Sequence, residues 1–125
     1  MIENDLSYTI RGVIFKVFNS LGPGLYESAY EAVLVHELKK LNLHVAHQVP
    51  LPLIHEDISL EVGYRIDILI ENKVIIEVKS LENLLEVHHK QLITYLKLSG
   101  VRLGLLVNFN TNDISKSIFR KVNEL

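Results

Sequence analysis

Apolar side chains recur at Ile10, Val13, Ile14, Val17 and Phe18. This is the i, i+3, i+4, i+7, i+8 spacing of a helix with one buried stripe, so the pattern predicts a helix over residues 5–19. Residues 20–24 (SLGPG) break it. A second helix is predicted over residues 25–41, with Tyr30, Leu34 and Leu38 on its core stripe and Lys39 and Lys40 in its last turn, where cations suit the helix dipole. The period then shortens to two. Residues 45–54 read as a strand that Pro50 and Pro52 confine to a sheet edge or interrupt. From Glu61 the alternation is cleaner. Val62, Tyr64, Ile66, Ile68 and Ile70 fall on one face, and Glu61, Gly63, Arg65, Asp67 and Leu69 on the other. After a turn at residues 71–73 comes a strand over residues 74–79, with Val74, Ile76 and Val78 sharing a face. A third long helix should end at Ser99 with Gly100 as its left-handed cap. Residues 101–109 (VRLGLLVNF) read as a more deeply buried strand, and Asp113 as the cap of a short final helix carrying Lys116, Arg120 and Lys121.

The order α-α-β-β-β-α-β-α implies an α/β fold. A parallel crossover near the end sits beside an antiparallel meander. With 125 residues the chain has the size of a single domain, residues 1–125, able to bury a core without staples. Its net charge of -2 excludes a polycationic nucleic-acid binder, so contact with nucleic acid would need a local basic patch or a metal. Cysteine is absent, which removes disulfides, thiolate metal sites and cysteine nucleophiles and fits a reducing compartment. No uncharged apolar run approaches the ~18–20 residues of a membrane span. The first residues carry acids where a signal peptide would carry positive charge. The expectation is a cytoplasmic protein with no membrane association. P-loop, dinucleotide-binding and serine-hydrolase motifs are missing.

Asp67, Glu77 and Lys79 stand within aliphatic strands. Charges on a sheet covered on both faces are costly unless paired or bound to metal, whereas a sheet with one wet face carries them freely. Register adds a constraint. A three-residue loop, Glu71-Asn72-Lys73, sets Asp67 directly opposite Glu77; a two-residue loop would separate them to opposite faces. Like charges facing each other destabilise a bare ladder, and a divalent cation reverses that sign. Asp67, Glu77 and the Val78 carbonyl form an all-oxygen set suited to Mg²⁺ or Mn²⁺. Lys79, on the same face as Glu77, would stabilise charge developing on a phosphate or position the attacking water. On the third helix Gln91 and Tyr95 are four apart, with His88 three before Gln91, a stripe that would support the catalytic face. His88 and His89 are adjacent and cannot readily chelate one ion together. Lys90, Lys97, Lys116, Arg120 and Lys121 read as solvated surface, with a phosphate-facing patch as the alternative.

The run Gly24-Leu25-Tyr26-Glu27-Ser28-Ala29-Tyr30 resembles the signature of the GxxExxY proteins, a family placed in the PD-(D/E)XK nuclease-like superfamily. The stretch VPLPL at residues 49–53, the run Gly63-Tyr64-Arg65-Ile66-Asp67, Glu77-Val78-Lys79, and Gln91 with Tyr95 are similar to that family in order and spacing. The resemblance spans residues 5–122. It implies a restriction-endonuclease-like αβββαβ core with a mixed sheet flanked by helices. It also implies metal-binding acids at Asp67 and Glu77, an active-site lysine at Lys79, and an additional first-helix acid at Glu27. The family's usual Pro before the catalytic Asp is replaced here by Ile66. The function so implied is a metal-dependent phosphodiesterase acting on DNA or RNA. Lys79, Glu27, Gln91 and Tyr95 are its catalytic set, Asp67, Glu77, Val78 and Glu27 its metal ligands, and Tyr30 and His88 supporting residues. A homodimer would bring two sites to two strands. The alternative is a non-catalytic nuclease-fold binding or regulatory module.

Overall fold

Two helices lead the chain, α1 (Glu3–Leu21) and α2 (Glu27–Lys40). The computed structural model describes residues 1–125. The stripe of α1 is buried as its spacing predicts: Ile10, Ile14 and Val17 are almost wholly enclosed, and Tyr30, Leu34 and Leu38 of α2 meet them. Each such side chain contributes roughly 1.5–3 kcal/mol by leaving water.

Seven strands follow: β1 (Val45–Pro50), β2 (Leu53–His55), β3 (Ile58–Leu60), β4 (Arg65–Ile70), β5 (Val74–Lys79), β6 (Leu103–Asn108) and β7 (Ile118–Val122). A third helix, α3 (Glu86–Ser99), links β5 to β6 and ends at Gly100 in the left-handed conformation. Five strands form one sheet in the order β1-β4-β5-β6-β7. Only β5 and β6 run parallel, joined by the α3 crossover; the other neighbours are antiparallel. This mixed sheet flanked by three helices is a restriction-endonuclease-like arrangement. Strand β1 lies at the edge, where the prolines predicted it.

Both faces of the sheet are covered. Helices α1 and α2 pack on one, against Ile68, Ile76 and Leu105; α3 packs on the other, where Leu92, Tyr95 and Leu96 meet Ile75 and Leu106. Glu77 is enclosed between these layers while Asp67 and Lys79 are half-buried, so it is above all the Glu77 charge that requires explanation.

The interruption expected at the prolines of residues 45–54 is present: the chain leaves the sheet after β1 and makes a separate two-stranded hairpin, β2–β3, which the sequence reading did not include. Two sequence expectations are corrected. The final helix does not form. Asp113 does cap, accepting the Ser115 N–H at 3.1 Å, but only a 3-10 turn, Ile114–Lys116. Arg120 and Lys121 lie instead on β7, because β6 would otherwise leave its backbone groups unpaired at an edge. Arg120 reaches Asn4 of α1, whereas the charge of Lys121 acts on His89 of α3, so these two cations do not share a patch.

The second correction concerns alternation. Ile68 and Ile70 face α1 and α2, but Ile66 and Tyr64 pack in the cluster beneath α3. Val45 and Val49 of β1 divide in the same way. The β1–β4 register is the same before and after the break, and the position missing from the ladder is Gln48 opposite Asp67. Gln48 has φ of 53°, left-handed backbone that non-glycine residues seldom adopt. Both strands therefore change faces together at this one position.

Candidate active site

The turn between β4 and β5 has the three-residue length that sets the acids in register. Ile70 pairs with Val74, Leu69 with Ile75 and Ile68 with Ile76. Glu71 and Asn72 take left-handed conformations, with φ of 54° and 53°, to close it. Continuing by one residue places Asp67 opposite Glu77. There the regular backbone pairing stops and the two side chains take it over. The Asp67 N–H donates to Glu77 Oε2 at 2.9 Å, and the Val78 N–H donates to Asp67 Oδ2 at 2.8 Å. Each carboxylate is thus held by the backbone of the other's strand.

The electrostatics follow from this enclosure. Glu77 is 4% exposed. Burial, then the Asp67 charge, pushes its carboxyl up to about 8, while the Asp67 N–H and the Lys79 ammonium act against the rise. Burial likewise raises Asp67 to about 6, opposed by the Val78 N–H, with the Glu31 charge adding to the rise. Two carboxylates that resist ionisation stand together, with Lys79 the cation whose charge opposes the rise in both.

The Val78 carbonyl joins them. Lys79 O accepts the Phe109 N–H at 2.9 Å, so that residue's backbone groups turn toward β6. Successive residues in a strand point their N–H and C=O to alternate sides, so Val78 turns both toward β4 and the carboxylates.

Glu27 stands in the first turn of α2, and its Oε2 accepts the Ser80 N–H at 3.1 Å. Helix α2 and the end of β5 are thereby tied together just beyond Lys79. The Ser80 hydroxyl adds a 2.7 Å bond to the Leu25 carbonyl. These residues line a cavity of about 510 Å³ with Tyr26, Ser28 and Glu31. The charge that acts on both Asp67 and Glu77 from α2 is that of Glu31, one turn beyond Glu27. Glu31 is buried, and its Oε1 accepts from Gln48 Nε2 at 2.7 Å and meets His47 Nε2 at 3.0 Å.

Tyr95 is brought to the pair. It is buried, its ring meets Tyr64 edge-on at 5.7 Å, and burial followed by the Glu77 charge raises its phenol. Gln91 Nε2 donates to its hydroxyl at 3.0 Å. Both line a second cavity of about 400 Å³ with Tyr64, His88, Lys90 and Thr94. His88 is turned to another use: its Nδ1 accepts the Leu85 N–H at 2.9 Å, tying down the start of α3. The Tyr30 hydroxyl does not meet an acid. It donates to the Gly22 carbonyl and accepts the Leu25 N–H at 3.2 Å, while its ring stacks on Phe109 at 4.2 Å. Tyr30 therefore latches the SLGPG loop that delivers Glu27.

Sequence reasoning missed Glu31, Gln48 and His47. Glu31 carried a signal, since it lies four residues after Glu27 on the same helix face. Gln48 and His47 carried only a weak one, two polar residues in a strand-like run.

No group of three or more His, Asp or Glu side chains converges to hold a metal ion. The donors that fit one are two carboxylates and a carbonyl, all oxygen, which suits a hard ion that keeps several waters. The raised proton affinity of both acids is what a divalent cation between them would relieve.

In comparisons with known proteins, the family model described as the PD-(D/E)XK nuclease superfamily matches residues 4–121. No curated protein and no solved structure matches the chain.

Proposed function

Since the chain belongs to the PD-(D/E)XK nuclease superfamily, we propose that it is a metal-dependent nuclease that hydrolyses phosphodiester bonds in DNA or RNA. The run from Gly24 to Tyr30 supports a place among the GxxExxY proteins within that superfamily. The observation that carries the activity is the interlocked Asp67–Glu77 pair in a sheet covered on both faces. At neutral pH this pair costs stability, because burial and mutual repulsion oppose its charge. Packing alone gives no reason to keep it, and such perturbed pairs are typical of functional sites.

In this reading Asp67, Glu77 and the Val78 carbonyl hold Mg²⁺ or Mn²⁺. When bound, such an ion supplies Lewis acidity at the scissile phosphate and a lowered pKa for water. Lys79 lies beside the pair and stabilises the negative charge that develops on the phosphate oxygens. Glu27, with Glu31 behind it, adds acceptor oxygens on the α2 side, directly or through water. Gln91 orients the Tyr95 hydroxyl, and the two fix the α3 side of the substrate. His88 supports this wall by securing the first turn of α3. Two copies acting as a homodimer would address both strands of a duplex, and the lack of cysteine suits work in the cytoplasm.

The test is a cleavage screen over single-stranded DNA, duplex DNA, RNA and branched substrates with Mn²⁺, run beside Glu77→Ala. Cleavage of at least one substrate by the wild type and none by the variant is the predicted result. No cleavage of any, with Mn²⁺ bound or not, would favour the binding or regulatory module.

A further inference from the structure

The break in the β1–β4 ladder has a chemical consequence. Gln48 sits in left-handed backbone, a conformation that glycine or asparagine fills more readily than other residues. Strain of this kind persists where surrounding structure imposes it, often beside functional groups. Here the surroundings are two carboxylates. Gln48 Nε2 donates to Glu31 Oε1 at 2.7 Å and reaches Asp67 Oδ1 at 3.4 Å. One amide nitrogen thus lies between two acids from different elements, α2 and β4.

We propose that Gln48 is a positioning residue: its amide, anchored on buried Glu31, holds the Asp67 carboxylate so that Oδ2 accepts the Val78 N–H while Oδ1 is presented to the site. The inference rests on the metal-binding role proposed for Asp67. Three features support it. The bond to Glu31 is short and the contact with Asp67 long, so the amide is fixed by Glu31 and only steers Asp67, leaving lone pairs on Oδ1 free. Glu31 and Asp67 repel each other, and a neutral donor between them lowers that cost without adding a cation that would compete with a metal. The face change at this position carries both residues out of the regular ladder together, so the side chain that steers and the side chain steered are set by one backbone feature. His47 Nε2, also on Glu31 Oε1, holds the anchor from the other side.

The experiment uses the metal-free full chain and follows amide hydrogen exchange by NMR in the wild type, Gln48→Gly and Gln48→Met. Glycine accepts the left-handed backbone without strain, and methionine keeps the volume without a donor, so neither change removes the fold. The Ile76 amide, within the regular ladder, reports that the sheet is intact. Positioning by the amide predicts that the Val78 N–H exchanges about 10-fold faster in both variants, with Ile76 unchanged. In the same proteins Mn²⁺ affinity should fall about 10-fold, the usual effect of removing a group that orients a ligand. Wild-type protection of Val78 in both variants would overturn the proposal, as would loosening in the glycine variant alone, which would implicate backbone freedom. Faster Val78 exchange in both variants, together with a wild type that binds no Mn²⁺, would leave the positioning role standing and remove the metal reading.

Discussion

At Glu77 two demands conflict. The fold buries the side chain, and its function as proposed needs it charged. Replacing it with Gln keeps an acceptor for the Asp67 N–H and removes the charge. Glu77→Gln should therefore be more stable than the wild type by about 1–2 kcal/mol at pH 8 without metal, read by denaturant titration, and should lose cleavage. The pH dependence carries the same signature. Asp67 and Glu77 have raised pKa values in the fold, about 6 and about 8 against 3.8 and 4.5, so the native state binds more protons than the unfolded chain between those limits. Their contribution to stability then falls as pH rises through that window. Thermal melts in chelator should show Tm decreasing from about pH 5 to about pH 8, with a shallower fall in Glu77→Gln. An equal slope in both proteins would contradict it. The residues of this pair were legible in the sequence, because a charge inside an aliphatic run stands out and the loop length fixes which residues face each other. Gln48 was not. Glutamine has no preference for left-handed backbone, and nothing in VAHQVP marks the position where the strand changes faces.

Among the elements, the first two helices were legible from their periodic apolar stripes, and the third from its glycine stop between two strand-like runs. The third helix ended where Gly100 predicted. The last element was not, because five residues carry too little pattern to separate a helix turn from a strand. Asp113 gave a true cap signal, but the open edge of β6 decided the outcome. The hairpin β2–β3 was lost for a similar reason: its strands are three residues each. Helix α3 carries Gln91 and Tyr95 of the proposed site, and it packs closely against β6 at Gly104. A Cβ at Gly104 would stand 2.8 Å from Leu92 Cδ1, and Leu92 is fully buried next to Gln91 in sequence. Gly104→Val should destabilise the fold by about 1–3 kcal/mol in denaturant titration and displace α3, lowering cleavage as well. Wild-type stability and activity would show that the helix seat is loose.

For the whole molecule, charge bears on nucleic-acid affinity. The net charge is -2, and Arg120 and Lys121 act toward different helices, so these two cations do not add to one phosphate-binding patch. Nucleic-acid affinity should depend only weakly on salt, since the slope of log K against log salt tracks the number of phosphates contacted. A homodimer would double those contacts. Sedimentation of the full chain with and without duplex should show a two-fold mass if that part of the reading holds, and a monomer throughout if it does not. No helix is long and apolar enough to cross a membrane. All of these properties are secondary to the pair at the junction of β4 and β5. Calorimetric titration of Mn²⁺ into wild type, Asp67→Ala and Glu77→Ala addresses it most directly. Binding by the wild type that both variants lose is the predicted result. A wild type that takes up no Mn²⁺, or variants that bind it equally well, would contradict the account.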